Sequence, residues 1–314
     1  MIVCVAGNPS VDRLVEVEAL AAGEIHRPTS LVVVPGGKGL HVARVCATLG
    51  CAVTATGILA GHAGRWISEA LAHDGVPARF AWGPGETRSC LSVADQATGG
   101  LTEFYESGTS GTVEAWSDLE AIVAELLSSA RWLTLSGSLP RDTPVEGYAE
   151  LIDRAAGAGV PAAIDSRGPW LAAGLEAGPA LVKVNAYEAS ELLDEPVTDR
   201  DRGVAAARTI RDRAGGDGHA VAITLGEAGM VLVDPDGRAF TGSTPARGRY
   251  PVGSGDALMA GLVAALADGE RWVAAAAAGL GAGAANAEIA GAGRLDPARA
   301  RELAAIADVA ELSE

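Results

Sequence analysis

Lysine is almost missing from this chain. Of 24 basic residues in 314, only Lys38 and Lys183 are lysine, and the other 22 are arginine. A general bias toward arginine explains the arginines but not where the two lysines remain. Lys38 lies in Pro35-Gly36-Gly37-Lys38-Gly39, where small residues let backbone N–H groups approach an anion. Lys183 lies in Val182-Lys183-Val184-Asn185-Ala186-Tyr187-Glu188, a strand end bearing a cation, an amide and a carboxylate. Lysine is a compact point charge on a flexible stem, suited to following a phosphate whose geometry changes during reaction. Net positive charge is lacking as well. A formal charge of −16 excludes a nucleic-acid surface, which needs a basic patch, but not a phosphorylated small molecule.

Other absences narrow the choice further. Cys4, Cys46, Cys51 and Cys90 show no Cys-x-x-Cys spacing, so they read as small buried apolar residues in a reducing cytosol. The apolar run Ile2–Ala6 is too short for a signal peptide and has no basic flank, so a cytoplasmic location is expected. The Ala/Gly-rich stretch Val273–Ala290 contains Asn286 and Glu288 and reads as a packed helix, not a membrane span. Neither lysine stands in a Walker A frame. Gly279-Leu280-Gly281-Ala282-Gly283 hints at a dinucleotide fingerprint, but such a fingerprint follows a strand and opens a helix. Close helix packing is the better reading, and nicotinamide chemistry is disfavoured. There is no repeat, low-complexity linker or charge run.

What is present is an ordinary globular composition, 48% hydrophobic and 20% charged, long enough for one α/β domain with or without a small appendage. Hydrophobic periodicity predicts strand Ile2–Ala6, short β runs Leu14–Val17 and Leu31–Val34, helix Leu40–Leu49, strand Ala52–Thr56 and helix Arg65–His73. Ser89–Ala94 and Leu101–Tyr105 form a hairpin around Thr98-Gly99-Gly100. From Leu119 the order turns regular: helix Leu119–Ser128, strand Trp132–Ser136, helix Val145–Gly157, strand Val160–Asp165, strand Ala180–Val184, and helices Tyr187–Leu193 and Gly203–Arg213. Strands Ala220–Leu225 and Met230–Val233 precede helices Gly255–Ala267 and Trp272–Ala287 and one near Pro297–Ala307. Alternation of strand and helix implies a parallel sheet covered on both faces. The β segments at 11–34 and 88–106 break that alternation and are expected to form a small separate sheet, a lid that excludes water from a reacting phosphate.

Val252-Gly253-Ser254-Gly255-Asp256-Ala257 leads into an apolar helix. Glycines at a helix entrance leave N–H groups free, and the helix dipole adds partial positive charge, which makes an anion hole. Asp256 in the first turn either caps the helix or accepts a proton from a substrate hydroxyl. Asn185-x-x-Glu188 reads either as a cap with a first-turn acid or as a contribution to magnesium, which prefers oxygen ligands and keeps several waters. Thr224-Leu225-Gly226-Glu227-Ala228-Gly229 either lines a nucleotide or turns a plain hairpin. Asp12 is a turn residue or a partner for sugar hydroxyls. Arg27 and Arg88 are surface arginines or bidentate phosphate holders, and His41 faces the site or an apolar neighbour.

Together the segments resemble the PfkB, or ribokinase-like, carbohydrate kinases across nearly the whole chain, nearest to the 1-phosphofructokinase and tagatose-6-phosphate kinase branch. The resemblance rests on the shared order of Asn8-Pro9-Ser10-Val11-Asp12, Gly23-Glu24, Pro35-Gly36-Gly37-Lys38-Gly39 with Val42-Ala43-Arg44, Glu86-Thr87-Arg88, Ser136-Gly137-Ser138-Leu139-Pro140, Lys183 with Asn185 and Glu188, Leu225-Gly226 and Val252-Gly253-Ser254-Gly255-Asp256. It implies an α/β fold with a ribokinase-like three-layer core, a mainly parallel sheet and a small β-sheet lid, all within one kinase domain, 1–314. It implies ATP as donor and Mg2+ as cofactor. Asp256 becomes the general base, with Gly253, Ser254 and Gly255 as the anion hole. Asn185 and Glu188 become the metal-associated pair. Lys183, Asn185, Thr224, Gly226, Gly229 and Asn286 fall to the nucleotide. Asp12, Arg27, Gly37, Lys38, Gly39, His41 and Arg88 fall to the acceptor.

The chain departs from the branch at His41 and Cys90, where asparagine is typical, at Tyr105, where it is frequent, and at Val184, which replaces proline. The first three approach the acceptor pocket in the family, so they bear on which hydroxyls are satisfied. The expected activity is phosphorylation of a hydroxyl of a sugar phosphate. A kinase of an unphosphorylated sugar, nucleoside or polyol is the alternative, and a non-catalytic ligand-binding protein on the same scaffold is another. Exposed lid strands pair readily with a second copy, so a homodimer is also expected.

Overall fold

In the computed structural model, which describes residues 1–108 and 111–312, two sheets share the strands. The larger has ten. Strands β1 (Ile2–Ala6), β4 (Val53–Leu59), β5 (Ala78–Trp82), β8 (Trp132–Ser136), β9 (Ala162–Asp165), β10 (Leu181–Asn185) and β11 (Ala220–Thr224) run parallel. Strands β12 (Met230–Val233), β13 (Ala239–Ser243) and β14 (Asp308–Glu311) continue antiparallel at one edge. Alternate residues of β1 serve opposite faces. Ile2, Cys4 and Ala6 join one hydrophobic core, while Val3 and Val5 join the other.

Helices α1 (Lys38–Thr48), α2 (Gly61–His73), α8 (Ser254–Ala267), α9 (Trp272–Ala287) and α10 (Pro297–Ala305) cover the first face. Helices α3 (Val113–Leu127), α4 (Gly147–Gly157), α5 (Gly168–Glu176), α6 (Ala186–Leu193) and α7 (Arg200–Arg213) cover the second. Helix α8 is buried over most of its circumference because α9 lies directly against it. A Cβ on Gly261 would stand 2.6 Å from the Ala278 carbonyl oxygen, and one on Gly279 would stand 2.9 Å from that of Leu258. The glycines of 279–283 therefore serve helix packing, with Gly281 doing the same against α10.

The small sheet orders β3 (Ser30–Gly36), β2 (Ser10–Val17), β6 (Arg88–Asp95) and β7 (Leu101–Tyr105). Strands β2 and β6 are parallel, and the outer pairs are antiparallel. Periodicity predicts β2 four residues too short, because Ser10–Arg13 pair with two neighbours that are remote in sequence. It misses β5, α5, β13 and β14. The first is an alternately buried edge, the second is short with Pro169 in its first turn, and the last two pair antiparallel beyond the repeating β-α units.

Candidate active site

Strand β1 pairs with β8 on one side and β4 on the other, so the direction of winding reverses there, and Ala6 sits beside Ser136 at the carboxyl ends. Open α/β sheets bind ligands at such a switch point. A cavity of about 440 Å³ opens there, lined by both residues and by Asp12, Lys38, His41, Lys183 and Asp256 among others.

One wall is the start of α8. Gly253 adopts the left-handed conformation at φ 81°, where a Cβ would press on Ala292, and the helix begins at Ser254 with Asp256 in its first turn. The Lys183 ammonium lies under this loop, so that a Cβ on Gly255 would stand only 2.8 Å from Nζ. Asn286, fully buried on α9, braces the loop from behind. Its Nδ2 donates to the Val252 carbonyl (2.9 Å), and its Oδ1 accepts from the Gly293 N–H (2.9 Å). Asn286 lines neither this cavity nor its neighbour. Its Nδ2 also reaches Ser254 Oγ (3.4 Å), so the amide is spent on bracing the loop.

The two lysines share one carboxylate. Lys183 Nζ, 2% exposed as a residue, donates to Asp165 Oδ2 (2.7 Å), and Lys38 Nζ donates to Asp165 Oδ1 (2.6 Å) and Glu188 Oε1 (2.8 Å). Burial alone raises the Asp165 carboxyl pKa, but the charges of Lys183 and Lys38 outweigh it and hold it below the ordinary value. Burial pulls Lys38 down, and Asp165 and Glu188 more than reverse that, leaving it raised. Asn185 and Glu188 form a capping box at α6, side chain to opposite backbone N–H in both directions. Sequence reading missed Asp165, which looked like an ordinary strand end. The available signal was a carboxylate closing an apolar strand beside two lysines in need of a counter-charge.

The opposite wall is a row across the small sheet. Asp12 stands in register with Cys90, and Cys90 with Tyr105, so all three face the same cavity. Gly36 makes room for the carboxylate, since a Cβ there would fall on Asp12 Cγ, and the Gly37 N–H donates to Asp12 Oδ2 (3.4 Å). Burial raises the Asp12 carboxyl, yet hydrogen bonds and charge from His41, aided by Ser10 and Gly37, leave it lowered. His41 Nδ1 lies 2.7 Å from Asp256 Oδ2, and Nε2 lies 2.9 Å from Asp12 Oδ2. Arg88 lines the cavity and donates from Nε and Nη2 to the Asn8 carbonyl. Asn8, Ser138, Ser166 and Arg167 line it too, although the sequence reading placed none of them there. Gly39 does not, because its bare Cα lets α1 rest on β1, 2.5 Å from the Val5 oxygen for a would-be Cβ. Arg27 is exposed in the link between β2 and β3 and lines no cavity described here.

A second cavity of about 330 Å³ adjoins the first. Thr224, Gly226, Gly229, Ser254 and Gly255 border it, with Leu258, Leu280 and Ala287 as an apolar floor, and it shares Thr224 and Gly255 with the first cavity. Gly229, at φ 93°, is obligatory: a Cβ would stand 2.0 Å from the Gly242 carbonyl oxygen. Among the described residues no group of three or more His, Cys, Asp or Glu side chains forms a metal site. The Asn185–Glu188 pair therefore fits only an ion that draws most of its ligands from phosphates and water.

Solved structures share this architecture, and two of them illustrate it. Phosphofructokinase-2 of Escherichia coli, in complex with fructose-6-phosphate, is 28% identical and superposes with a TM-score of 0.87 over 97% of this chain and 98% of its own. A Thermotoga maritima protein described as a possible 1-phosphofructokinase is 20% identical, with a TM-score of 0.90 over the full length of both chains, a likeness of fold. The model of the pfkB family carbohydrate kinases matches residues 3–299, which take in both cavities, the glycine-led helix and the paired lysines, and the chain is a sugar kinase belonging to that family.

Proposed function

We propose that this kinase transfers the γ-phosphoryl group of ATP to a hydroxyl of a small sugar phosphate, with Asp256 as general base. The observation that carries the reading is the meeting of two cavities at Thr224 and Gly255, with Asp256 and the N-terminus of α8 at the junction. ATP enters the apolar-floored cavity, and the acceptor enters the polar one. The free oxygen of Asp256 takes the proton as the acceptor oxygen bonds to phosphorus and the bond to ADP breaks. Backbone N–H groups of Gly253, Gly255 and Asp256, with Lys183 beneath them, stabilise the charge on the group in transit, the Ser254 N–H being taken by the Pro251 carbonyl. Magnesium, when bound with the nucleotide, neutralises phosphate charge beside Asn185 and Glu188. The small sheet, built from stretches within 11–34 and 88–106 of a single 1–314 domain, acts as a lid over the acceptor.

Arg88 and Arg167 are the cations for the acceptor phosphate. Arg167 is exposed, lines the cavity and makes no hydrogen bond or ion pair among the described residues. One observation favours an unphosphorylated acceptor instead: Lys38 is already neutralised by Asp165 and Glu188. A coupled ADP-release screen over phosphosugars, free sugars, polyols and nucleosides separates the two. Turnover only with unphosphorylated acceptors overturns the phosphosugar reading, and turnover with none overturns both. No described helix is long and apolar enough to cross a membrane, and a cytoplasmic enzyme fits the reaction's need for ATP. Strand β7 is exposed throughout, with Leu101 and Phe104 on it and Leu31 exposed on β3, which supports a homodimer formed through lid strands.

A further inference from the structure

The proposed reaction leaves one buried group unused, the imidazole of His41. It is 4% exposed and stands between two carboxylates on different elements, Asp12 of β2 and Asp256 of α8. The Nδ1 contact to Asp256 is a directed hydrogen bond, whereas Nε2 has no well-aimed partner and meets Asp12 as an ion pair. The ring cannot swing away easily. The loop after α9 packs on its backbone so closely that a Cβ on Gly293 would stand 2.9 Å from His41 Cα.

We propose that His41 is a positioning residue of the acceptor site: it holds Oδ2 of Asp256 and Oδ2 of Asp12 together, so that Oδ1 of Asp256 is the oxygen presented to the acceptor hydroxyl. The inference rests on Asp256 being the base. Asp12 Oδ1 is fixed in turn by Ser10 Oγ at 2.6 Å, so His41 ties the base to a carboxylate that is itself anchored. A singly protonated imidazole donates from one nitrogen only, so holding both carboxylates requires an imidazolium. Burial pulls the ring's pKa down, but the hydrogen bonds and charges of Asp12 and Asp256 raise it to about 9. Other charged groups near the ring do not compete for these contacts. Lys38 is held by Asp165 and Glu188, Arg44 by Asp74 and the Ala292 carbonyl, and Arg294 reaches the Ala290 carbonyl. The Cys90 thiol is pushed up by burial and stays neutral.

His41→Asn, which preserves a donor but not the charge, tests this against wild type and Asp256→Asn. The expected result is a fall in kcat of about 10- to 100-fold, the loss of a charge-assisted hydrogen bond to the base, with KM for ATP unchanged. Wild type is expected to lose kcat as the pH climbs through about 9, and that loss should be absent in the variant. A purely structural histidine would lower the melting temperature while leaving kcat and that alkaline limb in place, and this outcome overturns the proposal. Should the variant not fold, histidine NMR of the wild type decides: one ring of the five titrates near 9 and reverts toward 6.5 in Asp256→Asn. A ring unmoved by that substitution overturns the clamp. Near-normal turnover by Asp256→Asn instead removes the base, a failure of the proposed mechanism that the NMR titration reports separately.

Discussion

The two ends of the cleft differ in how far the protein satisfies itself. At the phosphoryl end each charged side chain already has a partner: Lys183 with Asp165, Asp165 with Lys38, Lys38 with Glu188, and Glu188 with the backbone of Asn185. At the acceptor end a thiol, a half-exposed phenol and an unpaired arginine face the same cavity, on a sheet whose outer strand is open to solvent. A closed charge network resists change because removing any member strands another in a low-dielectric interior. An open rim tolerates substitution, and of the positions that depart from the expected branch pattern Tyr105 lies there, whereas His41 and Cys90 are buried behind it.

The sharpest way to break that contrast is at the junction. Asp256→Asn is expected to lower kcat by about 10²- to 10⁴-fold, the range for removing a general base, while nucleotide affinity measured by calorimetry stays put. A near-normal rate would mean that the phosphoryl end does not hold the base. Next in size, Asp165→Ala leaves Lys183 buried without a counter-charge and should lower stability by about 3–5 kcal/mol, read by chemical denaturation. A loss below about 1 kcal/mol, the value of an exposed pair, would show that the network is not closed.

The same division governed what could be read from sequence. Gly253, Gly255 and Asp256 act through local backbone geometry at one helix start, so three consecutive positions betray them. Lys38 and Lys183 stood out only because the chain has no other lysine. Asp165, 127 residues from Lys38, gave only the faint local sign of a carboxylate closing an apolar strand, since pairing across strands depends on sheet order and not on spacing. Asn286 and Gly39, expected at the ligands, also brace the loop and let α1 rest on β1, contacts that only the meeting of distant elements reveals. Strand edges failed for a like reason: Ser10–Arg13 become strand by pairing with β3 and β6, not by their own propensity.

Between the two ends, the Asp12–His41–Asp256 bridge predicts how stability follows pH. His41 has its folded pKa raised from 6.5 to about 9, so its contribution is full below pH 6.5 and is lost as the pH climbs through 9. Asp12 and Asp165 are lowered from 3.8, so theirs is present above that value and is lost on acidification. Thermal melts should therefore plateau between about pH 4 and 6.5 and decline by a few kcal/mol toward pH 9. His41→Asn should flatten the alkaline decline and, because burial alone would raise Asp12 and His41 is what lowers it, leave only the Asp165 part of the acid limb. Unchanged curves in the variant would locate the alkaline titration elsewhere.

The smallest expected effect lies on the open rim. Arg167 is exposed and belongs to no internal pair among the described residues, so Arg167→Ala should leave the fold and kcat unaltered. If it helps to hold a phosphate on the acceptor, KM for that acceptor rises by up to about tenfold, and the rise shrinks as salt screens the charge over its Debye length of about 8 Å at physiological strength. KM for ATP should not move, because Arg167 does not border the second cavity. The control is an unphosphorylated acceptor of the same carbon skeleton, for which the substitution should be silent. An equal rise for both acceptors would make Arg167 a generic rim contact, and no rise for either would shift the anion-binding duty to Arg88. That guanidinium is already tethered to the Asn8 carbonyl and is therefore less free to reorient toward a phosphate than an arginine with no partner.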